Sequence, residues 1–429
     1  MIRIFKAKNI GEFQGLNINA RSEGIVYQKM DYVRNIVSQV KEKGDEAVIK
    51  FTKRFDGVDL SGEGLRVSDN EIDQAFSGVE EEYKKAVQIA IGNLEKYHQM
   101  QYPKDYVIDV RNGVELGRRW SPIETVGLYV PGGLAPYVTV CYMLGTPARV
   151  AGCKNRIICV PPDKNTGKVN PYVLASARLA GITEVYKIGG AQAIAAMAYG
   201  TKSVPKVGKI FGPGNVYVTA AKLLVYGNVD IDAPAGPSEA LIIADETANY
   251  KFVASDILSQ AEHDIDAAAI LLTTSENFAE TVKEEISHQV EALPKRDIAK
   301  GSLAKCGAIV ILPDIDTCIE IANSYAPEHI QIMTKDSELD AKKIVNSGSV
   351  FIGDFTPIAA GDYMSGTNNV IPTGGASKMF SPVHVEGFMK CQQTQRITKE
   401  GLCSLAEYIK TVSEIEGFDA HYESVKIRL

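Results

Sequence analysis

The stretch 125–232 constrains the fold most, because it repeats one unit: a short apolar strand, a glycine-bearing loop and a helix. Strand 126–130 ends in Pro131-Gly132-Gly133 and leads into a helix over 137–150, and strand 156–160 precedes a helix over 171–179. Strand 184–188 ends in Gly189-Gly190 before a helix over 192–198, and 209–211 ends in Gly212-Pro213-Gly214-Asn215 before another. Strands alternating with helices in this way form a parallel sheet covered on both faces. A second series, with strands over 240–244, 268–273, 308–312, 329–333 and 349–352, predicts another sheet of the same kind. The fold class is therefore α/β, with two Rossmann-like parallel-sheet domains. Glycines at the carboxyl ends of such strands let a phosphate approach backbone amides at helix N-termini. Each loop taken singly also suits an ordinary tight turn, and no G-x-G-x-x-G is present. Three such loops in one sheet favour a nucleotide site.

The flanks differ in texture. Residues 32–55 carry helical periodicity broken at Lys43-Gly44-Asp45, and charged helices continue to about 97 with apolar stripes over 72–76 and 83–94. From Ser381 onward the pattern turns helical again, through Phe388, Ile397, Leu402, Leu405, Ile409 and Ile415. Such an arm is too small for its own core and should pack on another domain or a partner subunit. With 429 residues, two to three domains are expected. The division is an N-terminal segment 1–25 and a first α/β domain from 26–128 plus 238–380. A second domain, 129–237, carries the nucleotide loops, and a helical arm, 381–429, completes the chain.

A formal net charge of −7 with no basic stripe argues against a nucleic-acid partner. There is no long apolar run for a membrane span, and the opening residues lack the apolar core of a signal peptide. A cytoplasmic location follows. The seven cysteines form no C-x-x-C pair and read as reduced, mostly buried thiols. Any metal must then use imidazole, carboxylate and amide ligands.

Titratable groups gather in four places. Ser259-Gln260-Ala261-Glu262-His263-Asp264 ends an apolar-periodic helix, so Gln260 and His263, three apart, share one helical face. They make half of a borderline metal site or, equally in form, a hydrogen-bonded pair. Tyr325-Ala326-Pro327-Glu328-His329 leads into a buried strand, the glycine-bearing loop 361–369 holds Asp362, and Glu416 to His421 lie in the terminal arm. His263, His329 and His421 each have an acidic side chain within two positions, a pattern that surface pairs also show.

Along nearly its whole length the sequence resembles the histidinol dehydrogenase family. The segments that carry the resemblance include Lys43-Gly-Asp-Glu-Ala47, Phe55-Asp-Gly-Val58, Val126-Gly-Leu-Tyr-Val-Pro-Gly-Gly133 and Gly189-Gly-Ala-Gln-Ala-Ile-Ala195. Phe211-Gly-Pro-Gly-Asn215, Pro234-Ala-Gly-Pro-Ser-Glu239, Ser259-Gln-Ala-Glu-His263, Pro327-Glu-His329 and Gly361-Asp-Tyr363 follow in the same order. The resemblance implies one zinc per chain on Gln260, His263, Asp362 and His421. It implies Glu328 and His329 as the acid–base pair, and NAD contacts from Tyr129, Gln192 and Asn215. Ser238, Glu416 and Asn369, together with His329 and the four metal ligands, would contact the substrate. That substrate would be a small polar amino-alcohol or a related alcohol, taken through an enzyme-held aldehyde to a carboxylate by two NAD⁺. The resemblance further implies a homodimer in which the arm, with Glu416 and His421, reaches the partner's site.

Two positions depart from the family pattern. Gly366-Thr367-Asn368-Asn369 has an amide where the family usually carries an imidazole, and His384 stands where a small polar residue is usual. Asn369 still hydrogen-bonds but cannot carry charge near neutrality. A true histidinol dehydrogenase, a paralogue acting on another small polar alcohol such as a sulfopropanediol, and a non-catalytic metabolite-binding homologue are the readings this leaves.

Overall fold

The computed structural model describes residues 2–429 apart from 17, 19–22, 63, 133–135 and 235, so Gly133 and Ala235 of the motifs above lie outside the described residues. Its strands are β1 (Arg3–Lys6), β2 (Tyr106–Arg111), β3 (Val114–Pro122), β4 (Thr125–Tyr129), β5 (Asn155–Val160), β6 (Glu184–Lys187) and β7 (Lys209–Phe211). There follow β8 (Asp230–Ile231), β9 (Glu239–Ala244), β10 (Ala268–Thr273), β11 (Ala308–Ile311), β12 (His329–Met333), β13 (Ser349–Ile352) and β14 (Met389–Ile397).

Both expected parallel sheets form. One has the order β6-β5-β4-β7-β8 and the other β1-β11-β10-β9-β12-β13. Within each, the first strand of its series lies centrally, the second and third extend to one side and the fourth and fifth to the other. This is the doubly wound order, with a topological switch beside the first strand. Two-sided burial explains the apolar runs: in β4, Val126 and Leu128 face one core while Tyr129 faces the other. Gly127 between them has Met197 Sδ only 2.6 Å from where a Cβ would stand, so a side chain there is excluded.

The grouping of the N-terminal helices differs from the expected one. The helices Glu23–Lys43 and Asp45–Phe55 pack with Gly190–Tyr199 and Val216–Val225 on one face of the five-stranded sheet. Asp69–Gly78 and Glu81–Gln99 pack with Val138–Val150 and Pro171–Leu179 on the other. Residues 26–100 thus cover the sheet of 129–237, with the helix Glu81–Gln99 also touching the 364–370 segment through Asn93 and His98. The physical reason is cover: the sheet's own crossover helices leave apolar surface on both faces, which the amphipathic N-terminal helices close. The first residues are also not a separate segment, since β1 pairs in parallel with β11 from Arg3↔Ala308 to Lys6↔Ile311.

The arm likewise begins with a strand. β14 pairs antiparallel with β3 over nine positions, Met389↔Pro122 to Ile397↔Val114, and β2 pairs with the other edge of β3. Only Met389 of β14 is buried, so its sequence shows no alternation. β2 presents Tyr106, Val107, Ile108 and Val110 to solvent, each at least half exposed. Beyond β14 the helices Lys399–Glu416 and Asp419–Lys426 pack on each other. Among the described residues no helix is long and apolar enough to cross a membrane.

A buried cation ties the five-stranded sheet to its last loop. Lys222, 1 % exposed, ion-pairs with Asp232 and donates to the carbonyls of Gly212, at 3.1 Å, and Ala233, at 3.2 Å. Asp232 also accepts from the Gly212 amide at 2.7 Å. Removing one partner strands the other charge in the core. Asp232→Asn should lower the unfolding free energy in urea by about 3–5 kcal/mol, and Lys222→Met/Asp232→Asn together should lower it by less than Asp232→Asn alone.

Candidate functional site

At the carboxyl edge of the five-stranded sheet lies a cleft of about 1280 Å³. Tyr129 enters it from the end of β4, Gly190 and Gln192 from the start of the helix after β6, and Asn215 from the loop after β7. Asn215 caps the helix Val216–Val225, its Oδ1 accepting from the amides of Tyr217 at 3.0 Å and Val218 at 3.2 Å. The buried Tyr129 hydroxyl accepts from the Gly190 amide at 3.0 Å. Gly212, at φ 126°, brings the loop so near β4 that a Cβ would stand 2.2 Å from the Tyr129 carbonyl oxygen. Only glycine permits that approach. Gln192 is fully buried and its Oε1 has no partner in the protein. A cleft lined by helix N-termini, with an orphaned amide oxygen inside it, suits a dinucleotide.

The second cluster sits at the amino edge of the six-stranded sheet, at its topological switch. His329 opens β12 opposite Ala240 of β9. Glu328 Oε2 accepts from the Glu239 amide at 2.7 Å, and His329 Nδ1 lies 3.3 Å from the Glu239 carbonyl and 3.7 Å from Glu328 Oε2. On the far side of the ring, Nε2 is 3.5 Å from Asp362 Oδ1. Burial pushes Glu328 up to about 7 against the opposing pull of His329. Burial also works against charge on His329, but Glu328 and Asp362 outweigh it and raise the imidazole well above its ordinary value. One buried imidazole is thus flanked by two carboxyl groups, an arrangement in which a proton can pass between neighbouring groups.

The backbone around the pair is tightly fixed. Ala326 has φ 52°, the one positive value outside glycine among the described residues, directly before Pro327. Its carbonyl accepts from Ser377 Oγ at 3.0 Å. On the other side the Gly348 amide donates to Pro327 O at 3.0 Å, and a Cβ on Gly348 would stand 2.5 Å from Glu328 O. Strain at such a position persists only where surrounding contacts hold it.

His263 and Asp362 gather beside the pair. Burial holds the His263 imidazole below its ordinary range, against the pull of Asp362, and His329 adds to the lowering. Its nitrogen lone pair is thus free of a proton. Gln260 is 2 % exposed and its side-chain nitrogen has no partner; an amide that turns its oxygen into this space becomes a ligand for a cation. The set of amide, imidazole and carboxylate suits a borderline divalent ion. Among the described residues no three His, Cys, Asp or Glu side chains gather as a metal cage. The helix Val138–Val150 relates to both regions: Tyr137 before it lines the cleft and senses the charge of Asp264, and Tyr142 donates to Tyr363 O at 3.3 Å.

The histidinol dehydrogenase family model matches residues 19–429. Histidinol dehydrogenase from Methanothermobacter thermautotrophicus is 48 % identical over 397 residues, 92 % of each chain, and that from Methanosarcina mazei is 43 % identical over all of this chain and 98 % of its own. The chain belongs to the histidinol dehydrogenase family. The crystal structure of histidinol dehydrogenase from Elizabethkingia anophelis superposes with a TM-score of 0.93 at 41 % identity, covering all of this chain and 98 % of that one.

Against the family pattern, the remaining positions fall as follows. The helix carrying Gln260 ends at Ala261, so His263 lies past the cap and not on the helical face expected for it; its amide bonds Gln260 O at 3.3 Å and keeps the two adjacent. Ser238 precedes β9, and its carbonyl accepts from the Ala268 amide at 3.0 Å. Asn369 donates to the Asp362 carbonyl at 3.1 Å, so its side chain braces the Asp362 turn, while its Oδ1 is buried without a partner. His384 turns to its own backbone, Nδ1 at 2.7 Å from Pro382 O. Glu416 and His421 are exposed on the terminal helices, and among the described residues no hydrogen bond or ion pair links them to the cluster.

Asp256 and Gln331 had no role in the sequence reading. Asp256, 7 % exposed and one turn before Gln260, is pushed up to about 6 by burial, partly offset by a hydrogen bond from Gln331 of β12. A lone apolar-flanked carboxylate on a helix leaves little sequence signal. Because the folded value lies above the unfolded one, the cost of its charge is absent below about pH 4, grows as pH rises through 6 and is then constant. Asp256→Asn should therefore match the wild type in stability at pH 4 and exceed it at pH 8 by up to about 3 kcal/mol in urea titrations.

Proposed function

We propose that this chain oxidises L-histidinol to L-histidine through an enzyme-held aldehyde, with NAD⁺ as hydride acceptor and one zinc ion per chain. The observation that carries this is the buried Glu328–His329 pair, fixed against β9 and facing Asp362, inside a chain that matches the family end to end. Tyr129, Gln192 and Asn215 would hold NAD⁺, whose nicotinamide accepts hydride when bound. Gln260, His263 and Asp362 of one chain, with His421 of a second copy, would hold zinc. When bound, zinc polarises and orients the substrate alcohol.

His329 acts at Nε2, taking the hydroxyl proton as hydride departs. With Asp362 engaged by the ion, one of the charges that raise His329 is withdrawn, which lowers the imidazole and favours its role as a base. Glu328, raised to about 7 by burial, then takes a proton from the water that attacks the aldehyde. Ser238, Asn369 and Glu416 complete the substrate pocket, with Asn369 acting through its bond to the Asp362 carbonyl. That bond supports histidinol over a different alcohol, because it gives the amide a positioning task that needs no charge.

A homodimer with exchanged arms agrees with the apolar surface left open. Tyr106, Val107, Ile108 and Val110 on β2, and Tyr408, Val412, Ile415 and Phe418 on the arm, are exposed in one chain. In that dimer Glu416 and His421 serve the partner's site. Seven free cysteines support a reducing, cytoplasmic setting.

Zinc-loaded protein given L-histidinol and excess NAD⁺ should form two NADH per substrate, read at 340 nm; silence toward histidinol and toward a panel of small amino- and sulfo-alcohols would remove the dehydrogenase reading. Gln260→Ala and His421→Ala should each lower the zinc retained per chain after dialysis. His329→Ala should retain zinc while slowing the first hydride step by roughly 10²- to 10⁴-fold in single-turnover absorbance. Loss of the metal in His329→Ala would mean the roles are misassigned.

A further inference from the structure

Asp56 is a carboxylate in the cofactor cleft to which neither the sequence reading nor the proposed mechanism gives a task. It follows the helix Asp45–Phe55 and comes from outside the sheet, yet its side chain lies against the sheet's edge. A Cβ added at Gly189, after β6, would stand 3.2 Å from Asp56 Oδ1 and 2.6 Å from Pro161 Cβ, after β5. The carboxylate therefore sits between the ends of the second and third strands of the series. Gln192 Nε2 approaches Asp56 Oδ2 at 3.5 Å, a long contact, while Gln192 Oε1 has no partner.

In a doubly wound sheet an acid at the end of the second strand reads the 2′-hydroxyl of the adenosine ribose. Here that position is filled by Pro161-Pro162, which offer no side-chain acceptor, and Asp163 is bound to its own turn, accepting from the amides of Asn165 at 3.0 Å and Thr166 at 2.9 Å. Asp56 supplies the missing acceptor from another element. Among the described residues it has no ion-pair partner; Lys164, which also lines the cleft, lays its carbon chain over Gly57. We infer that Asp56 and Gln192 together recognise the adenosine ribose of the dinucleotide, and that the Asp56 carboxylate excludes a 2′-phosphate. This rests on the cleft being the NAD⁺ site. Burial without a compensating charge, which pushes Asp56 up to about 6, agrees with an acceptor that awaits a donor.

Calorimetric titration tests the inference by binding alone, using NAD⁺, NADP⁺ and the 2′-deoxyadenosine analogue of NAD⁺ on wild type and Asp56→Asn. The wild type should bind NAD⁺ on the order of tenfold or more tightly than either analogue, since each lacks the charge-assisted hydrogen bond. In Asp56→Asn both ratios should fall to within about twofold of unity, with NADP⁺ binding gained in absolute terms. Unchanged ratios in the variant overturn the role of Asp56 while leaving the cleft reading intact. Should Asp56→Asn not fold, equal wild-type affinity for NAD⁺ and its deoxy analogue overturns it as well. A wild type that binds none of the three dinucleotides overturns the cleft reading itself.

Discussion

At the topological switch of the six-stranded sheet, where β9 and β12 pair in parallel, the Glu239 amide donates to the Glu328 carboxylate just before the ladder begins. The rest of the site depends on this bond. It holds Glu328 in a buried place where its charge is costly, and that cost lifts the group toward neutrality. Beside it, His329 Nδ1 faces the Glu239 carbonyl and Nε2 faces Asp362. The turn that delivers the pair is strained at Ala326 and closed by Gly348, so the geometry is held by backbone contacts on both sides.

The two sheets share one winding order. The five-stranded sheet offers its carboxyl edge, where loops and helix N-termini line a cleft suited to phosphates. From the six-stranded sheet come the amino ends of β9 and β12, which carry the Glu328–His329 pair. The helix Val138–Val150 runs between them, with Tyr137 at the cleft and Tyr142 bonded to the Asp362 turn. In the proposed mechanism the cofactor groups and the acid–base groups come from different sheets.

Much of this was legible in the sequence, and the parts that were not have physical causes. Strands buried on both faces, such as 268–273 and 329–333, announce themselves as apolar runs, so both parallel sheets could be read directly. β14 could not, because eight of its nine residues face solvent and its pairing with β3 leaves no alternation. β1 is four residues long with only partial burial, too short for a periodic signal. The attachment of the N-terminal helices was misread because amphipathicity shows that a helix covers something, not which sheet it covers. Among site residues, Glu328, His329, His263 and Asp362 stood out by their chemistry, and the structure brings them into one neighbourhood. Asp56 was visible only as part of a motif, since its importance comes from lying against Gly189 far along the chain.

The central claim is that Gln260, His263 and Asp362 of one chain, beside the Glu328–His329 pair, close on one divalent ion with His421 from a second copy. Anomalous diffraction from crystals of the zinc-loaded protein, collected on either side of the zinc absorption edge, addresses it directly. The account predicts one peak per chain, bonded to those four side chains and next to His329. A peak elsewhere, or an ordered dimer whose His421 lies remote from Asp362, would contradict it.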